Sequence, residues 1–74
     1  MRNIDLLVFS LEYIENHLQD NIKTIDIADA CHCSKSTLEK MFQYVYRISV
    51  HSYIIRRRMM LAARKLKEEE ASIL

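Results

Sequence analysis

The sequence predicts a small all-α domain of about four helices, on three observations. The chain has 74 residues, enough for a single small domain. It contains no glycine and no proline, the residues on which the turns of all-β folds depend. Its apolar residues recur three and four positions apart, as on one face of a helix. Half of the residues are hydrophobic and 28% are charged, so we expect a folded chain rather than a disordered one.

The first helix is expected over residues 3–18. Asn3 is a suitable N-cap, and Asp5 places a negative charge where the helix dipole favours it. The turn-forming residues 19–21 end the helix. Its expected buried face consists of apolar residues at helical spacing: Ile4, Leu7, Val8, Leu11, Ile14 and Leu18.

Two short helices follow, expected over residues 25–31 and 35–45. Thr24 is the predicted N-cap of the second helix and Ser34 that of the third. The apolar contacts of the pair are expected from Ile25, Ile27, Ala28 and Cys31, and then from Leu38, Met41, Phe42 and Val45. Because only a tight turn separates these helices, they form a helix-turn-helix, whose second helix enters the DNA major groove in proteins that use the motif this way.

The fourth helix is expected over residues 50–69, with Ser49 as its N-cap. Arg57 falls on its inner side, where we expect a structural role: a buried stem and a guanidinium paired with a carboxylate. Core or edge packing is predicted for the tyrosines Tyr44, Tyr46 and Tyr53. For the methionines Met41, Met59 and Met60 we predict either core positions or a seat for a further unit.

Charge is distributed unevenly along the chain, although the net charge is only +1. Residues 1–33 are acidic and residues 34–67 strongly basic, and the acidic run Glu68-Glu69-Glu70 follows. A basic half can face an anionic polymer even when the total charge is near zero. The alternative is a solvated surface without a partner, and charge alone does not decide between them.

Several classes of function find no support in the sequence. The apolar runs are too short to cross a bilayer, and Asp5 and Glu12 interrupt any signal-peptide core, so we expect a cytoplasmic protein without membrane contact. No pairing of a nucleophile with a base is indicated, and no glycine-rich loop could hold a phosphate. We therefore expect no enzymatic activity and no cofactor.

The segment Cys31-His32-Cys33 admits two interpretations, a metal site or the turn of the helix-turn-helix. Zinc usually takes four ligands, with cysteines two to four residues apart, and the other histidines are scattered singly. Buried free cysteine behaves as a small hydrophobic residue. We favour the turn and expect no metal.

From Leu11 to Leu74 the sequence resembles the AraC/XylS family of bacterial transcription regulators, especially the MarA, SoxS and Rob subgroup. The resemblance rests on "LEYIE", on "SKSTLEKMF", on "ISV" with Tyr53, Ile54, Arg57, Ala63 and Leu66, and on "LKEEEASIL". It implies two helix-turn-helix units joined by a long helix, which bind promoter DNA and work with RNA polymerase. Residues 1–74 would then be one half-domain that stops where the second unit begins, with weaker and less selective binding.

Two positions that are often glycine in this family are His32 and Arg47 here. The resemblance therefore implies a positive φ at both. Histidine tolerates that conformation better than most residues, whereas arginine should lose roughly 1 kcal/mol of stability. A charge beside the backbone of bound DNA is one reason to keep Arg47; simple tolerance is the other.

The resemblance also assigns DNA contacts. The base-reading positions would be Ser36, Glu39 and Lys40. The DNA-backbone contacts would come from Ser34, Lys35, Thr37, Arg47, Arg56 and Arg58. An exposed helix acid explains Glu39 about equally well, and a solvated face does the same for Arg56 and Arg58.

A second class of function is protein binding without strong DNA binding. The outer flank of the fourth helix carries apolar residues that could dock on another protein or on a second copy: Met59, Met60 and Leu61, with Ile73 and Leu74. This alternative predicts self-association without DNA and no effect of Lys40→Ala.

Overall fold

The computed structural model describes residues 2 to 73, with side chains described up to residue 70. The chain forms four helices: α1 (Asn3–Asn16), α2 (Thr24–Ala30), α3 (Lys35–Tyr46) and α4 (Val50–Ile73). Residues 2 to 73 include no β-strand. The predicted all-α fold with one helix-turn-helix, α2–turn–α3, is confirmed. Leu74, named above for protein binding, lies outside the described residues.

Two of the four predicted N-caps are correct and two are wrong. Ser34 caps α3, since its Oγ accepts the Thr37 N–H at 3.0 Å, and the Ser49 Oγ accepts the Ser52 N–H at 3.1 Å at the start of α4. The predicted caps Asn3 and Thr24 are instead the first residues of their helices.

Lys23 occupies the N-cap position of α2 without using its own side chain. Its N–H donates to Asp26 Oδ2 at 2.9 Å, so a carboxylate inside the first turn supplies the capping contact. More often the N-cap side chain accepts a hydrogen bond from an amide in the first turn, whereas here a first-turn side chain accepts from the N-cap amide. The other end of α1 also differs: the helix stops at Asn16 because the His17 N–H bonds to the Ile14 carbonyl, three residues back.

The core lies where the four helices meet. Its buried apolar residues are Leu6, Ile14, Leu18, Ile27, Ala28, Cys31, Leu38, Phe42, Val50 and Ile54. The expected face of α1 was partly wrong, because Leu6 and Ser10 are buried while Ile4 and Val8 are exposed. Ser10 tolerates burial since its hydroxyl donates to the Leu7 carbonyl at 2.8 Å. Ile4 instead lines a groove of about 590 Å³ between α1 and α3.

Three aromatic rings join α3 to α4. Phe42 meets Tyr53 edge-on with ring centroids 5.3 Å apart, and Tyr46 lies 5.5 Å from Phe42 and 5.0 Å from Tyr53. Such distances and tilts are favourable for aromatic pairs. The predicted packing role is therefore confirmed for Tyr46 and Tyr53. It is wrong for Tyr44, whose exposure is 81%.

Two adjacent arginines hold α4 against α1. Arg57 makes a forked ion pair with Glu15, at 2.6 Å from Nε to Oε1 and 3.3 Å from Nη2 to Oε2. This is the expected pairing with a carboxylate, although both side chains are about 40% exposed, at 35% and 42%. The hydrogen bonds that Arg57 donates to Glu15, together with the negative charge of that carboxylate, raise the pKa of Arg57 further above its already high value.

Arg58 was expected to contact phosphate, but it binds the turn that follows α1 instead. Its guanidinium donates to the carbonyls of Leu18 and Asp20, both at 2.7 Å. These carbonyls follow the end of α1, where backbone acceptors lack partners within the helix. Within residues 2 to 73, no helix combines the length and the apolar character needed to cross a bilayer.

Candidate nucleic-acid interface

The turn between α2 and α3 is built by residues 31–34 around a left-handed residue. His32 has a φ of 56°. The Cys33 N–H bonds to the Ala28 carbonyl at 3.0 Å and the His32 N–H to the Asp29 carbonyl at 3.2 Å. These two bonds are the pair that defines a Schellman motif, which ends helices with a residue in the left-handed region. The positive φ expected at His32 is confirmed.

The two cysteines of this turn face the protein interior. Cys31 is buried and Cys33 half-buried, and neither forms a disulfide. Burial raises the pKa of both thiols, so each is held in its neutral form. In the part of the chain that the structure describes, no group of three or more histidine, cysteine or acidic side chains is placed to hold a metal ion. The contacts of the segment are those of a turn.

The first turn of α3 presents a cluster of small polar groups to solvent. The Ser34 hydroxyl donates to Thr37 Oγ1 at 2.8 Å while it accepts the Thr37 N–H. Because the Thr37 hydroxyl accepts this bond, it can still donate its own hydrogen to an acceptor outside the chain. Lys35 and Ser36 are exposed beside this cap. A helix N-terminus with these groups is suited to an anion such as a phosphate.

The outward face of α3 carries a continuous polar strip, formed by Ser36, Lys40, Gln43 and Arg47. All four side chains are exposed. At 100° per residue the three on the helix, Ser36, Lys40 and Gln43, fall within a sector of about 60°, on the side opposite to the buried Leu38, and Arg47 follows the last turn. Sequence reasoning missed Gln43. The signal was available, since Gln43 lies three residues after Lys40 and four before Arg47.

Glu39, expected to read a base, is turned towards α4 instead. It is half-buried, and its Oε2 accepts the Val50 N–H at 3.4 Å. A negative charge near the first amides of a helix is favourable, although a bond of this length is weak. Glu39 therefore links the end of the α3–α4 turn to the middle of α3. Its side chain is not part of the exposed strip.

Arg47 ends α3 in the left-handed region, with φ 63° and ψ 22°. The positive φ expected there is confirmed, and its N–H bonds to the Gln43 carbonyl at 3.0 Å. The side chain is exposed at the end of the polar strip. Arg56 is also exposed, and no partner within the described residues engages its guanidinium.

The structure thus divides the predicted contact residues into two groups. The first group is exposed and accessible to a partner, and it consists of Ser34, Lys35, Ser36, Thr37, Lys40, Arg47 and Arg56. Glu39 and Arg58 make contacts inside the chain. Comparison with known proteins adds no family: no protein-family model, no curated protein and no solved structure matches this chain.

Proposed function

We propose that this chain is a DNA-binding unit of a transcription regulator of the AraC/XylS type, which places α3 in the major groove of duplex DNA. The observation that carries the proposal is the exposed strip Ser36, Lys40, Gln43 and Arg47, on a helix held at both ends by tight turns. It lies at the start of the basic half of the chain. A rigid polar helix face with basic flanks is what major-groove recognition requires.

Each residue of the strip has a chemical role in this proposal. Lys40 donates to the O6 and N7 acceptors of guanine, and Gln43 forms the paired hydrogen bonds with which amide side chains recognise adenine. Ser36, at the first turn, contacts either type of base edge. Base pairs in the reach of Lys40 and Gln43 should therefore contribute most of the sequence preference.

The remaining exposed residues position the unit on the DNA backbone. The Thr37 hydroxyl and the free amides at the start of α3 donate to one phosphate, Ser34 orients the Thr37 hydroxyl, and Lys35 adds charge beside it. Arg47 and Arg56 contact the backbone on the far side of α3. By resemblance, the site would be a promoter in the cytoplasm of a bacterium and RNA polymerase a partner. A single recognition helix should bind with modest affinity, because phosphate contacts supply much of the binding free energy and one unit makes few of them.

Amide NMR of the labelled chain during addition of a mixed-sequence duplex tests the proposal directly. We expect shifts at residues 34–47 that fade as salt rises, since each phosphate contact releases counterions. Lys40→Ala should weaken binding to a preferred site by about 1–3 kcal/mol. Lys67→Ala is the matched control: it removes the same charge roughly 25 Å along α4 from its start, well away from α3.

A second candidate function is protein binding without DNA, and one observation favours it. Met59, Met60 and Leu66 expose large apolar side chains on α4. For the two methionines, the expected core position is therefore wrong, and the alternative of a seat for a partner stays open. If protein binding is the only function, no amide of α3 moves with DNA even at low salt, and Lys40→Ala changes nothing.

A further inference from the structure

The groove between α1 and α3 has apolar walls and few polar groups. Its volume is about 590 Å³, within the range of about 300–1,000 Å³ that small-molecule sites occupy. Aliphatic side chains and one aromatic ring form most of the walls, from Ile4, Leu7, Met41, Tyr44 and Val45. The polar lining residues are Asn3, Thr37 and Lys40. An apolar cleft with a small number of polar groups is the usual form of a small-molecule site.

Thr37 and Lys40 offer two hydrogen-bond donors side by side, because residues three apart on a helix are neighbours. The Thr37 Oγ1 atom accepts the Ser34 hydroxyl at 2.8 Å, which leaves its own hydrogen to donate. The Lys40 ammonium group has no hydrogen-bond or ion-pair partner among the described residues. Two donors of which one is charged suit a carboxylate, since its two oxygens only accept.

The charges around the groove favour a ligand with a single negative charge. Among the described residues that line it, Lys40 is the one charged group. Beside its α1 residues, Arg2 and Asp5 lie 4.0 Å apart and offset each other. On α3, at 100° per residue, Lys35 and Glu39 lie on the opposite side of the helix from the groove. A monocarboxylate therefore matches the groove, whereas a doubly charged phosphate would leave one charge unmatched.

We propose that the groove between α1 and α3 binds a small monocarboxylate with an elongated apolar body, whose charged end pairs with Lys40. The lining extends along α3 from Thr37 to Val45, a rise of about 12 Å, which sets the length of the body. The Tyr44 ring, 81% exposed, and the Met41 thioether favour an aromatic group in that body. Such a ligand covers exposed apolar surface without displacing a core residue.

Lys40 stands at the border between this groove and the polar strip proposed to read DNA. At 100° per residue it lies about 40° from Ser36 on one side and about 40° from Tyr44 on the other. Its ammonium group can turn towards a carboxylate in the groove or towards a guanine, but not towards both. An occupied groove therefore weakens DNA binding, and this second step rests on the proposed function.

Methyl and amide NMR of the labelled full chain without DNA tests the binding site. Phenylbutyrate is the probe, and phenylbutanol, which has nearly the same shape without the charge, is its neutral control. We expect phenylbutyrate to shift the methyl signals of Ile4, Leu7 and Val45 with a dissociation constant of about 0.1–1 mM. Phenylbutanol should bind about fivefold more weakly, because it lacks the ion pair with Lys40.

Three variants separate the charged contact from the apolar one. Lys40→Met removes the charge but keeps most of the side-chain length, and it should abolish the preference for phenylbutyrate over phenylbutanol. Lys35→Met is the matched control on the far side of α3 and should keep that preference. Ile4→Gln should weaken both ligands, and the core should tolerate it because Ile4 is 66% exposed.

Equal binding of the two probes, or a preference that survives Lys40→Met, overturns the inference. Methyl signals of the groove that ignore phenylbutyrate also overturn it. If those signals shift instead when the chain alone is concentrated, a second copy occupies the groove.

Fluorescence anisotropy of a labelled duplex tests the competition with DNA. Saturating phenylbutyrate should weaken DNA binding about as much as Lys40→Ala does, and it should have no further effect on the Lys40→Ala variant. An unchanged DNA affinity at saturation overturns the competition. A chain that binds phenylbutyrate but no DNA refutes only the proposed function, whereas a chain that binds DNA while its groove ignores phenylbutyrate overturns only this inference.

Discussion

Replacing Arg47 with glycine should stabilise the fold. Arg47 sits at φ 63° and ψ 22°, in the left-handed region where a Cβ atom approaches the following carbonyl oxygen. Its amide makes a bond to Gln43 that glycine can keep, because the bond uses only the backbone. The side chain is exposed and forms no hydrogen bond or ion pair with another described residue. Nothing in the core is lost with it.

The size of the effect follows from two opposing quantities. Relief of the left-handed conformation contributes roughly 1–2 kcal/mol. Glycine also makes the unfolded chain more flexible, which offsets about 0.4–1 kcal/mol of that gain. The net expected increase in the free energy of unfolding is about 1 kcal/mol, which corresponds to roughly 4–8 °C in the melting temperature of a domain of this size.

Urea denaturation followed by circular dichroism measures this difference, and Arg47→Ala is its comparison. Alanine also removes the guanidinium but retains the Cβ atom, so it should remain strained. With a slope of about 1 kcal/mol per molar urea, the glycine variant should unfold at roughly 1 M higher urea than the alanine variant. Equal midpoints for the two variants would refute the reasoning, because they would show that the relief of strain at residue 47 does not exceed the flexibility that glycine adds to the unfolded chain.

Three further outcomes follow from contacts and pKa shifts in the structure. Arg58→Lys should lower the free energy of unfolding by about 1–2 kcal/mol in urea titrations, because an ammonium group cannot span both carbonyls that the guanidinium fork binds. Glu39→Ala should cost about 0.5–1 kcal/mol through the start of α4, and thermal melts should show the same loss with duplex DNA absent. Burial raises the pKa of Cys31 and Cys33, so the stability they contribute is complete below the ordinary thiol pKa of 9.0 and is lost as pH rises through the raised values. Above pH 9 the urea midpoint should therefore decrease as pH rises, and the decrease should be less steep in the double variant Cys31→Ala/Cys33→Ala.

The fold was predictable because its signals are local. Helical spacing, the absence of glycine and proline, and the caps Ser34 and Ser49 act within a few residues of the structure that they specify. The two positive φ values were expected from the family resemblance rather than from periodicity, since histidine only tolerates this conformation and arginine disfavours it. The buried face of α1 was less predictable, because Ser10 becomes a core residue only once its hydroxyl finds the Leu7 carbonyl.

The candidate site was predictable where a residue's environment depends on α3 alone. Lys40 and Ser36 are exposed because helical geometry turns them away from Leu38. Glu39 and Arg58 depart from expectation because their partners lie 11 and 40 residues away, and no local pattern carries that information. The run Arg56-Arg57-Arg58 shows the same limit. Arg57 and Arg58 bind α1 and the turn that follows it, whereas the Arg56 side chain has no hydrogen-bond or ion-pair partner among the described residues.

The strain at Arg47 is informative about function only if the guanidinium performs a task that glycine cannot. A domain this small has a thin margin of stability, and residues that break a local conformational rule are expected mainly where they act on a partner. The opposing explanation is that the loss is simply tolerated. One variant distinguishes the two explanations. If Arg47 contacts the DNA backbone, Arg47→Gly should raise stability and also lower the affinity for duplex DNA, and the salt dependence of binding should become shallower by about one phosphate contact. A glycine variant that is more stable and binds DNA as tightly would show that the strain serves no contact with the backbone.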